Sequence, residues 1–375
     1  MIDKKIKICF VLSHLPQGGA ERQTINLIKG LKASDYEITL LLYANTEIFY
    51  REVFELPIKI IVNQTQKANK VIRNLKNAFF LRKVLKDSDF DILHTLLYHN
   101  GFWVRILAPR KYKDRIIYSI RNTVDAIPWS SRLAEKILVK KSIVVTNSQK
   151  VLEQYIDIVG ERHRFRVSNI YNGIETARFL CDEPPGISGK TIIGTVGRQT
   201  ALKNQIQILQ AVNIISKTKP VHFFLIGDKT QGRSVDNERF VRDHQLSEIV
   251  TLLDSQHDIE TYYRKFNIFV LSSLNESCPN VLFEAMLSKC LCIVSEGANA
   301  DKFISDGLNG LVYDGSLPML VSKLNVALEL ISGNKHHPMV NAGFDYAFQN
   351  FSTDSMMMKY NRLYNSIVHK TDIDG

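Results

Sequence analysis

Short apolar runs alternate with amphipathic stretches along most of the chain. Residues 6–13 (IKICFVLS) form the first run, followed by PQGGAERQ and a segment of helical spacing through Lys32. This order predicts a strand, a glycine turn and a helix. Residues 37–43 and 57–62 predict a second and a short third strand. Runs at 91–97, 115–120 and 142–147, each followed by a helical stretch, predict three more, and 166–170 closes the set. Strands that alternate with helices pair in parallel through βαβ units and build a doubly wound sheet.

The alternation stops at 181–190 (CDEPPGISGK), where two prolines and two glycines without periodicity mark a linker. It restarts with strands at 191–196, 222–226, 249–253 and 268–271, separated by helical stretches from Asn204, near 237–245 and at 259–266. A polar turn at 276–280 leads into a helix carrying Glu284, then a strand at 290–295. Beyond Val312 the chain turns helical at 317–331, 339–348 and 353–368. The pattern predicts an α/β protein of two Rossmann-like domains, each with a doubly wound parallel sheet, divided at 180/181. Open α/β sheets bind ligands beyond the carboxyl ends of their strands, so the domains are expected to face each other across a ligand-binding cleft.

Composition adds little to this, but charge adds more. The 375 residues are 45% apolar and 23% charged, an ordinary globular balance. No apolar run reaches the roughly 18–20 residues of a membrane span. The basic and apolar N-terminus mimics a secretory leader but lacks a small-residue cleavage site and runs into Pro16, Gly18 and Gly19, so a first buried strand and a cytoplasmic location are expected. Five scattered cysteines lack zinc or disulfide spacing and read as reduced. Residues 1–180 hold 30 Lys+Arg against 17 Asp+Glu, whereas 181–375 hold 18 against 21. The first half is therefore the one to meet an anionic partner. Segment 67–86 concentrates this charge: Lys67, Lys70, Arg73, Lys76, Arg82, Lys83 and Lys86 interleave with Val71, Leu75, Ala78, Phe79 and Leu85, with no acidic residue. Peripheral contact with an anionic membrane would suit it. Zinc-finger, RNP and basic-heptad signatures are missing, so no nucleic-acid partner is expected.

Four groups of residues fall at predicted strand ends. Gly18 and Gly19 let backbone approach a ligand just before a helix N-terminus. Arg198 can fork phosphate oxygens and Lys203 adds a point charge, which a diphosphate requires for binding and departure. Glu276 and Glu284 flank the N-terminus of a helix, where carboxylates accept hydrogen bonds from a polyhydroxylated ligand while amides donate to it. Glu284 sits in an otherwise apolar helix and needs a partner. His99, with Arg121 and Asn122 after the next strand, is the histidine best placed to point into the cleft, whereas His94 reads as core. Asp89-Phe90-Asp91 is a literal D-x-D, but it lies at the wrong edge of the sheet to hold a metal. Gly307–Gly310 reads as a turn.

In this order the motifs resemble the GT-B-fold retaining glycosyltransferases of family 4, also called the glycosyltransferase group 1 family. The resemblance covers nearly the whole chain. It is carried by GGAER at 18–22, TNS at 146–148, IYNGI at 170–174 with Phe179, VGR at 196–198 with Lys203, the E-x7-E pair Glu276/Glu284, and DGLNGLV at 306–312. It implies sugar transfer from a nucleotide-sugar, with uridine the commonest base, to a hydroxyl of a glycan or lipid-linked acceptor in cell-surface polysaccharide or lipopolysaccharide assembly. Anomeric configuration is retained, and neither a metal nor another cofactor is required. By the same resemblance Arg198 and Lys203 hold the diphosphate, and Glu284 holds the ribose. Glu276 with Ser277, Cys278, Pro279 and Asn280 holds the donor sugar, Gly19 closes over it, and His99 assists at the reacting centre. The last helix, within 353–375, is expected to pack back on the first domain, leaving 181–352 as the nucleotide-sugar domain. Ser277 stands where the family usually has glycine and is expected to influence which sugar fits. A nucleotide-sugar epimerase, or a non-catalytic partner of a synthase, are the alternative functions.

Overall fold

The computed structural model describes residues 5–15, 18–44, 48, 51–64, 69–121, 124, 127–186, 189–230 and 232–370. Pro16, Lys67 and Asn122 lie outside the described residues. The chain divides into two compact units, 1–173 with 353–375, and 174–352.

The first unit runs β1 (Ile6–Leu12), α1 (Gly19–Gly30), β2 (Tyr36–Leu42), β3 (Lys59–Val62), α2 (Lys70–Asp87), β4 (Ile92–Leu96), α3 (Tyr98–Leu107), β5 (Ile116–Ile120), α4 (Arg132–Leu138), β6 (Ser142–Thr146), α5 (Gln149–Val159) and β7 (Val167–Asn169). Its seven strands pair in parallel in the order β3-β2-β1-β4-β5-β6-β7. Every residue of β4, β5 and β6 is buried. Helices cover both faces of such strands, so their sequence is a continuous apolar run instead of an alternation.

The second unit runs α6 (Thr176–Phe179), β8 (Thr191–Val196), α7 (Gln205–Ile215), β9 (Val221–Ile226), α8 (Ser234–Asp243), β10 (Val250–Leu253), α9 (Ile259–Tyr263), β11 (Ile268–Leu271), α10 (Asn280–Leu287), β12 (Leu291–Ser295), β13 (Leu311–Tyr313), α11 (Leu317–Ser332) and α12 (His337–Phe351). Six parallel strands follow the order β10-β9-β8-β11-β12-β13. Residues 174–180, read from the sequence as the end of the first domain, pack with this unit. Ile174 N donates to Phe351 O at 2.7 Å, and Arg178 pairs with Glu260 at 2.7 Å.

The last helix, α13 (Thr353–His369), belongs to the first unit, where it packs on α1 and β4. Its buried Met356, Met357, Tyr360, Leu363, Tyr364 and Ile367 join the core of β1, β2 and β4. The amphipathic spacing of these residues already marks an inward face.

Candidate functional site

In both sheets the chain winds outward from its first strand and then returns to that strand's other side. The direction of winding reverses between β1 and β4 in the first unit and between β8 and β11 in the second. Such a switch point opens a crevice at the carboxyl ends of its two strands. Gly19 and His99 follow β1 and β4; Arg198 and Lys203 follow β8, and the 276–284 stretch follows β11. These residues therefore follow the strands of the two switch points, whereas Arg121 follows β5.

In the first unit, no atom of the described residues lies within 4 Å of where a Cβ on Gly19, the first residue of α1, would be. His99 is exposed in the first turn of α3, with its ring edge-on to Trp103 at 6.4 Å. Partial burial, then the nearby His14, holds its pKa below the usual value. A neutral imidazole can accept a proton or a hydrogen bond at physiological pH.

Sequence reasoning missed the support beneath His99. Buried Asn100 accepts from Ser13 N and from the Tyr43 hydroxyl, both at 3.0 Å, and donates to Leu96 O at 2.8 Å. One amide thus joins the ends of β1, β2 and β4. The turn into α3 passes through Leu97 at φ 67°, a conformation that costs a branched residue energy and persists only where its surroundings hold it. Arg121, at the end of β5, is buried against Asn172 Oδ1 at 2.8 Å and the Tyr360 hydroxyl.

In the second unit the ends of β8 and β9 touch. Gly197 and Gly227 have φ of 151° and 153°, and a Cβ on Gly227 would fall on the Gly197 carbonyl oxygen. Glycine is required at such an approach. The 197–204 loop is then tied down from beneath. Buried Gln199 donates from its backbone N to Asp228 O at 3.0 Å and accepts from Asn237 at 2.9 Å. Gln205 donates to Arg198 O at 3.0 Å, and Ser272 Oγ donates to Lys203 O at 2.8 Å. This scaffold leaves the Arg198 side chain exposed, without an ion pair among the described residues.

Lys203 and Glu276, assigned separately from the sequence, form an ion pair with each other, their side chains only 18% and 15% exposed. Lys203 is thus neutralised by Glu276, and an anion that bound it would have to share or break this pair. Glu276 is held by its own backbone N, which donates to Gly297 O at 3.1 Å. Cys278 and Pro279 are buried, Ser277 and Asn280 half-buried. Pro279 occupies the cap position of α10 and has no side-chain acceptor, so the positive end of that helix faces the turn uncapped by its own cap residue. Glu284 accepts from the buried Tyr263 hydroxyl at 2.9 Å, the partner its apolar helix required. Burial, then the Glu284 charge, pushes the Tyr263 hydroxyl well above its usual pKa, so it remains a donor.

Asp91 sits at the amino edge of its sheet and accepts from Lys7 N at 2.9 Å. Among the described residues, no group of three or more His, Cys, Asp or Glu is placed to hold a metal ion. The glycine turn at 306–310 is structural: Asp306 accepts from Val312 N at 2.8 Å and pairs with Lys323 at 2.7 Å.

Residues 17–178 match the family described as Glycosyltransferase Family 4, and residues 190–329 the family described as Glycosyl transferases group 1. The UDP-Gal:alpha-D-GlcNAc-diphosphoundecaprenol alpha-1,3-galactosyltransferase of Escherichia coli is 22% identical, over 91% of this chain and 94% of its own. The GalNAc-alpha-(1->4)-GalNAc-alpha-(1->3)-diNAcBac-PP-undecaprenol alpha-1,4-N-acetyl-D-galactosaminyltransferase of Campylobacter jejuni is 24% identical, over 82% and 84%. The crystal structure of a glycosyltransferase from Rickettsia africae superposes with a TM-score of 0.83 at 19% identity, covering 98% of this chain and 100% of that one. Switch-point geometry, family matches spanning both units and this shared fold lead to one conclusion: the chain belongs to the family 4, or group 1, glycosyltransferases of GT-B fold.

Proposed function

We propose that this protein moves a sugar from a UDP-sugar to a hydroxyl of a lipid-linked or glycan acceptor in cell-surface polysaccharide assembly, with retention of anomeric configuration and without a metal. The observation that carries the reading is the β8/β11 switch point, where the exposed Arg198, the Lys203–Glu276 pair and the Tyr263-held Glu284 stand around a helix N-terminus. Two cations and a helix dipole supply the charge neutralisation that a departing diphosphate needs. The relatives from Escherichia coli and Campylobacter jejuni are named for transfer onto undecaprenol-diphosphate-linked acceptors, which supports the acceptor class.

In this reading Arg198 and Lys203 hold the diphosphate and Glu284 the ribose hydroxyls. Glu276, released from Lys203, and the 277–280 turn hold the donor sugar, with Gly19 contributing its open backbone. Neutral His99 assists at the reacting centre, while the departing phosphate takes the acceptor proton. The exposed Val71, Leu75 and Phe79 of α2, flanked by Arg73, Lys76, Arg82 and Lys83, touch the membrane that carries the acceptor.

Incubation with UDP-sugars and an undecaprenyl-diphosphate-linked acceptor should release UDP, and chelation should leave the rate unchanged. Arg198→Ala should lower kcat/KM by about 10²–10³, as loss of a charge-stabilising donor does. Glu284→Ala should act mainly through the KM for donor. Unchanged turnover in both variants would overturn the site assignment, and an altered UDP-sugar formed without acceptor would favour the epimerase.

A further inference from the structure

We propose a second ligand site on the first unit, in the cavity between α4 and α5, that takes a monosaccharide bearing a carboxylate or a phosphate. It extends the reading of a glycan acceptor beyond the reacting centre, and its test needs no turnover, so the two fail separately.

Helices α4 and α5 pack side by side, and a cavity of about 370 Å³ opens between them. Arg132 and Lys136 line it from α4, Gln154, Asp157 and Ile158 from α5, and Val124 from the segment after β5. Arg132 and Lys136 stand one helical turn apart, as do Gln154 and Asp157, so each helix turns a polar pair toward the cavity.

The fold leaves these polar groups unused. Among the described residues the side chains of Arg132, Lys136, Gln154 and Asp157 make no hydrogen bond, and neither cation forms an ion pair with Asp157. On the same helix α5, by contrast, Glu153 is taken up by Arg164 at 2.7 Å. The Arg132 Nε is buried without an acceptor. A buried donor left without a partner is costly, and in a native protein it points to a missing water, ion or ligand.

The lining selects the ligand. The Arg132 guanidinium can fork two oxygens of a carboxylate or phosphate, and Lys136 adds a point charge. A carboxylate such as Asp157 only accepts, so it calls for hydroxyl donors, and Gln154 offers both a donor and an acceptor. Buried Val124 and Ile158 give an apolar wall for the C–H face of a sugar ring. Among the described residues no aromatic side chain lines the cavity for a nucleobase to stack on. A volume at the lower end of small-molecule sites suits one sugar unit.

The test is ligand-observed NMR titration of the full chain, with excess UDP present to fill the donor site. D-Glucuronate and D-glucose 1-phosphate should bind, and the tighter of the two identifies the anionic group. D-Glucose and inorganic phosphate each match only part of the lining and should bind at least about tenfold more weakly. Arg132→Gln should raise the Kd of both anionic sugars about tenfold and erase their advantage over glucose. Lys136→Gln, at an exposed position, should act in the same direction. Asp157→Ala should instead erase the advantage over inorganic phosphate. UDP release with an acceptor whose sugars are uncharged should stay unchanged in all three variants. Inorganic phosphate binding as tightly as the sugars would mean an adventitious ion only, and the proposal falls. It falls equally if neither anionic sugar binds, or if Arg132→Gln and Lys136→Gln both bind them as the wild type does.

Discussion

Single residues at the strand ends divide into those that meet a ligand and those that hold them. Glu284 was legible as a carboxylate out of place in an apolar helix. Tyr263 was not, because its 21-residue separation from Glu284 corresponds to no local period, and only the packing of α9 on α10 brings them to 2.9 Å. Tyr263→Phe removes one hydrogen bond to a charged group, worth about 1.5–3 kcal/mol. The donor KM should rise about tenfold or more while kcat changes little, as steady-state kinetics over a donor series would show. An unchanged KM would mean that Glu284 is oriented by other contacts. The Lys203–Glu276 pair is the same kind of finding: each side chain was readable, their mutual neutralisation was not.

Among elements, α3 matters most, since His99 stands in its first turn. Two devices fix it. At its start, Asn100 binds the ends of three strands. Further along, Arg105 forks both oxygens of Glu135 on α4, at 2.8 and 2.6 Å, and lies 4.2 Å from the centre of the Tyr118 ring, all fully buried. Removing one partner of a buried pair strands the other charge, at a cost of about 3–5 kcal/mol. Arg105→Met should therefore lower the denaturant midpoint sharply. The double variant R105M/E135Q, which keeps an acceptor for Tyr155, should recover most of the loss. If the double variant is as unstable as the single one, packing of the guanidinium and not its charge is what the fold needs.

At the scale of the whole molecule, α13 closes the first unit from the far end of the sequence, and it does so around a histidine. His94 is fully buried between the Tyr364 hydroxyl and Ser119 Oγ, each at 2.8 Å. Burial, then the Arg121 charge, holds its pKa well below the usual value. The unfolded chain takes up a proton near pH 6.5 that the folded one refuses, so stability is full above about pH 6.5 and falls as pH drops below it. His163, His222 and His336 are shifted the same way and add to the slope. Urea midpoints at pH 7.5 and 5.5 should differ in the wild type and differ less in His94→Gln, whatever that variant's absolute stability. An identical difference would clear His94 of the effect. The strands and most helices of both units were determined by the sequence, because buried parallel strands and amphipathic helices write their periods directly into it. The candidate site residues were legible too, because ligands gather at strand ends and strand ends show as glycines and charges after apolar runs. The tertiary structure alone decided which side chains neutralise, orient or shield one another. Those contacts join residues dozens to hundreds of positions apart, a separation at which no local pattern carries information.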